Sequence, residues 1–66
     1  MYARDAIRLA RKHLGTGTMD SSARLCLEDA IRLEGRGQLD DAKVRALKSL
    51  AYSVGIAHPD YQRASK

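Results

Sequence analysis

The sequence predicts an all-α fold: a small three-helix bundle with its helices antiparallel, up-down-up. Two observations carry that expectation. Apolar residues recur every three or four positions through three segments, and nowhere alternate as a half-buried strand requires. Glycine-bearing breaks separate the segments, at Gly15-Thr16-Gly17-Thr18 and Gly35-Arg36-Gly37, and Gly55 followed by Pro59 closes the third. Glycine suits the left-handed position just past a helix end, and proline often follows it. Connections this short favour antiparallel neighbours.

The first segment runs from about Tyr2 to Leu14. Ala3, Ile7, Ala10 and Leu14 share a stripe that Tyr2, Ala6 and Leu9 widen to an arc of roughly 160°. Arg4, Arg8, Arg11 and Lys12 fall on the opposite side, and His13 lies in the last turn, where a positive charge complements exposed carbonyls. The second segment runs from about Met19 to Glu34, with Thr18, Asp20 and Ser21 as candidate N-caps. Its apolar arc is Ala23, Cys26, Leu27, Ala30, Ile31 and Leu33, while Arg24, Glu28 and Arg32 mark the solvent side at four-residue spacing. Leu25 falls among the polar residues. The third segment runs from about Leu39 to Val54, with Asp40 as a cap and Asp41 in the first turn. Leu39, Ala42, Ala46, Leu47, Leu50, Ala51 and Val54 form the widest apolar face of the three, which places this helix at the centre. Gly55 ends it, and Ile56 is expected to fold back on its last turn. Residues 1–57 thus form one domain, and the tail 58–66, without an apolar period, is expected to fray.

Composition limits what such a domain can be. The chain has 66 residues, with eight Leu, three Ile, two Val and ten Ala but no Trp or Phe. A core this small supplies roughly 3–5 kcal/mol, so a partner chain or self-association, a dimer for example, would help. The lone Cys26 allows no intrachain disulfide, which points to a reducing, cytoplasmic setting. No signal-peptide pattern opens the sequence and no run of 18 apolar residues crosses a membrane.

Residues 26–54 also resemble the helix hairpin of a tetratricopeptide repeat. The turn Gly37-Gln38-Leu39-Asp40-Asp41-Ala42 is similar to that repeat's glycine, aromatic-or-Leu, acid, acid, alanine pattern. Ala30 and Leu33 stand at its small and large positions. Asp29, Ala46, Ser49 and Val54 depart from it, standing where the family prefers Leu, an aromatic, Ala and Pro. The resemblance implies a protein-binding role through helical grooves and no catalytic residue.

The residues themselves point the same way. Cys26, His13 and His58 are the soft metal ligands, and no two stand at ligand spacing in the sequence. Gly15-Thr16-Gly17 lacks the strand and the Gly-Lys-Ser/Thr ending of a phosphate loop. Asp20, Asp29, Asp40 and Asp41 are the acids available for acid–base work, and two of them read better as caps. No catalytic, cofactor-binding or metal residue and no small-molecule ligand are therefore expected. The leading expectation is a non-enzymatic protein–protein interaction module that meets its partner, or a second copy, through Leu25, Val44 and Leu47. The alternative is a nucleic-acid-binding accessory protein. The net charge of +4 permits that. Arg4, Arg8, Arg11 and Lys12 form a ladder that could follow phosphates. Membrane docking is not expected, because the apolar side of the same helix is needed for the core.

Overall fold

The structure is a computed structural model that describes residues 2–15 and 20–66. It contains α1 (Ala3–Leu14), α2 (Ser21–Gly35), α3 (Leu39–Val54) and a short α4 (Pro59–Ala64). The expected all-α bundle forms, and no strand occurs among the described residues. Thr18 as a cap and Met19 as a helix start lie outside them. Asp20 caps α2, its side chain accepting the Ala23 amide at 2.8 Å.

The turn between α2 and α3 is fixed by backbone bonds. The Gln38 amide donates to the Leu33 carbonyl and the Gly37 amide to that of Glu34, both at 3.0 Å. This pattern needs a left-handed residue, and Gly37 supplies it with φ +80°. The chain then enters α3 directly, so Gln38, not Asp40, stands at the N-cap, and no side-chain bond closes the cap. Asp40 and Asp41 lie in the first turn, where they complement the helix dipole.

Ser49 of α3 donates to the Ala23 carbonyl of α2 at 2.8 Å. The late part of one helix thus meets the early part of the other, which makes the pair antiparallel. The start of α1 shares a cleft with the end of α2 and the start of α3, so α1 runs alongside α3 in the same direction. α3 is the hub: it packs most extensively against α2, then α1, and also against α4, whereas α1 and α2 meet only sparsely.

The core is built mainly of alanine. Ala6, Ala10, Ala23, Ala30, Ala42, Ala46 and Ala64 are wholly buried, with Ile7, Leu27 and Leu50 supplying the bulk. Such small side chains let helix backbones approach closely, while each buried Leu contributes about 1.5–3 kcal/mol. Ser49 is also wholly buried, and its bond to Ala23 satisfies the hydroxyl. Some apolar residues stay outside. Tyr2, Leu14 and Leu39 lie at helix ends and are exposed. Ile56 is exposed too: Gly55, at φ 91° and ψ 158°, leads the chain away from α3 instead of back over its last turn.

The largest departure from expectation is the tail. Residues 59–64 form a helix whose Asp60 and Ala64 are buried and whose Tyr61 packs on the core. His58 caps it, its Nδ1 accepting the Asp60 amide at 3.0 Å, and Pro59 takes the first helical position, where its missing amide costs nothing. Asp60 reaches α1: its Oδ2 accepts from His13 Nε2 at 2.7 Å and from Lys12 Nζ at 3.3 Å. Of the tail's two anchors, His13 lies on the same face of α1 as Ala3, Ala6 and Ala10.

Candidate functional site

Because α1 and α2 touch so little, a cleft of about 250 Å³ remains between them. Ile7 and Ile31 give it an apolar floor, Arg4, Arg8 and Arg11 line its α1 side, and Glu34 stands at the end of α2. The spacing i, i+4, i+7 places the three arginines along one edge of α1. All three are exposed, and none has a carboxylate within ion-pair distance among the described residues. Asp5, three residues before Arg8, does not pair with it. A larger basin, of about 770 Å³, shares Arg4, Arg8 and Glu34 and continues the surface across Tyr2, Leu39 and Lys43. Two exposed apolar side chains thus adjoin the arginine edge.

The residues singled out in the sequence divide. Arg4, Arg8 and Arg11 line one cleft. Lys12 turns away from them and holds Asp60. Val44 is half exposed and lines a separate groove with Leu33, Arg45 and Lys48, and Leu25, 62% exposed, stands outside that groove. Leu47 does not extend this surface: it is half-buried and packs against the core, because the apolar arc of α3 serves its neighbours α1, α2 and α4. Arg32 pairs with Asp29 at 3.4 Å, not with Glu28.

A second cluster was hidden from sequence reasoning. His13 from the end of α1 and His58 from before α4 stack edge to face, ring centroids 5.2 Å apart, and one ligand atom from each lies within 4.8 Å of the other and of Asp60. Cys26, a half-buried free thiol, takes no part. The His13 bond holds the Asp60 carboxyl below the ordinary carboxylate range, against the burial that pushes it up, and Lys12 adds to the lowering. An ionised Asp60 only accepts, so His13 Nε2 carries the proton between them. His58 Nδ1 accepts an amide, so its neutral ring carries its proton on Nε2. The signal that could have found this site is His58-Pro59-Asp60, a cap, a proline at the first position and an acid in the first turn.

No helix among the described residues is long and apolar enough to cross a membrane. Comparison with protein-family models, curated proteins and solved structures finds no match.

Proposed function

We propose that this chain is a non-enzymatic interaction module that receives an acidic, amphipathic segment of another protein in the cleft between α1 and α2. One observation carries the reading: three exposed arginines, with no carboxylate at ion-pair distance among the described residues, stand beside an apolar floor of Ile7 and Ile31. A helix with an apolar ridge and acidic flanks matches both features, and planar guanidinium groups pair with carboxylates through two parallel bonds. The resemblance of residues 26–54 to a tetratricopeptide hairpin supports the same class of role. A reducing, cytoplasmic setting fits the free Cys26.

The arginine edge also favours a second reading, attraction of a nucleic-acid backbone. Glu34 weighs against it. A continuous phosphate strand meets that carboxylate unfavourably, whereas a peptide can place an amide or a cation opposite.

Fluorescence anisotropy with labelled probes tests the two. An acidic amphipathic helical peptide should bind more tightly than an all-acidic peptide of equal charge. Arg8→Glu should weaken it roughly tenfold, about 1.4 kcal/mol. Retention of a DNA duplex at low salt, with neither peptide held, would give the second reading the field.

A further inference from the structure

The cluster at the α1–α4 junction has the donor set of a transition-metal site. We propose that His13, His58 and Asp60 together bind one zinc ion. Two imidazoles and a carboxylate are three of the four ligands that zinc takes, and they select it over calcium or magnesium, which prefer oxygen alone. Three protein ligands leave a fourth position for water, and half-buried His58 gives that position a route to solvent.

The distances sit on either side of what zinc requires. Tetrahedral ligands about 2.0–2.1 Å from the metal are about 3.3 Å from one another. His13 Nε2 and Asp60 Oδ2, now 2.7 Å apart, must open slightly, and the widest separation within the cluster, inside 4.8 Å, must close. Side-chain torsions and a small shift of the six-residue α4 supply both changes.

The protons balance. Zinc takes the place of the proton that His13 Nε2 shares with Asp60, and that proton moves to Nδ1, the ring adopting its other tautomer. His58 exchanges the Asp60 amide for zinc at Nδ1 and retains its Nε2 proton. Lys12, 3.3 Å from Asp60 Oδ2, is the competitor. Its ammonium already neutralises the carboxylate and repels a dication, but its side chain is 62% exposed and can swing into water. This gives the proposal a signature that a merely structural cluster lacks: removing Lys12 should tighten the site.

Isothermal titration of the full chain with zinc chloride at pH 7.5, in a Cys26→Ser background that removes the thiol, is the experiment. One equivalent should bind. Zinc at a hundred times its Kd should raise the Tm by roughly 10 °C or more. Substituted cobalt should show the visible absorption of a tetrahedral ion. His58→Asn and Asp60→Asn should each lower affinity at least tenfold, and Lys12→Gln should raise it several-fold. The absence of zinc uptake by the wild type overturns the proposal, as does uptake undiminished in either weakening variant. Should Asp60→Asn unfold α4, His58→Asn decides alone: its amide oxygen can keep the cap on the Asp60 N–H and it leaves the His13–Asp60 bond in place, while the imidazole ligand is gone.

Discussion

Ser49 is the polar residue on which the α2–α3 contact is most finely set. Its hydroxyl is wholly buried among alanines and donates across the interface to Ala23. Ser49→Ala removes that bond and leaves a void of one oxygen atom. The Ala23 carbonyl keeps its place in α2, so the cost should be about 0.5–1.5 kcal/mol, read as a fall in the urea midpoint at constant m-value. A midpoint unchanged within error would show that the bond contributes nothing net. In the sequence Ser49 stands only as a departure from the repeat pattern, and periodicity gives neither its burial nor its partner. A hydroxyl among alanines is silent about which carbonyl it meets. His13 does lie in the last turn of α1, and its burial was hidden for a similar reason. The last turn of α1 suits a cation in solvent, and only the docking of α4 turns that position into an interior one.

At the scale of elements, glycine positions separate helix ends from helix interiors. Gly35 is the last residue of α2, has no positive φ, and a Cβ there would meet nothing within 4 Å. Gly37 has equally open space but sits at φ +80°. Gly35→Ala should therefore stabilise by about 0.5–1 kcal/mol, through helix propensity and a less flexible unfolded chain. Gly37→Ala should destabilise by roughly 1–2 kcal/mol. Thermal unfolding of the two variants checks the pair, and equal shifts of the same sign would refute the assignment. The three long helices were legible because their apolar arcs are long and their breaks contain glycine. α4 was not, because six residues hold too few apolar positions to show a period. Its anchor is a carboxylate that binds two partners 47 and 48 residues away in the chain.

For the molecule as a whole, α4 acts as a clasp over the end of α1, and its hold depends on charge. Asp60 is faced by His13 and Lys12 from α1 and by His58 at its own N-cap. Its carboxyl is held below the ordinary value, so the stability it contributes is present above the unfolded-state range near 3.9 and is lost as pH falls below it toward the lower folded value. Urea titrations of the wild type and Asp60→Asn should differ by on the order of 1 kcal/mol at pH 6 to 7. The two should converge as pH drops below about 4, because a protonated Asp60 resembles the amide. A gap that persists undiminished into acid would mean that the carboxylate's charge is not what holds the clasp. In a domain with so thin an aliphatic core, that difference is a large share of the total.

The placement of Tyr61 gives the clasp a reporter of its own. The chain has three tyrosines and neither Trp nor Phe. Tyr2 and Tyr52 are 80% and 59% exposed, whereas Tyr61 packs against the core from within α4. The near-ultraviolet optical activity of the protein should therefore arise mostly from one ring. That signal follows release of α4 under acid, and its tightening under zinc, without any label.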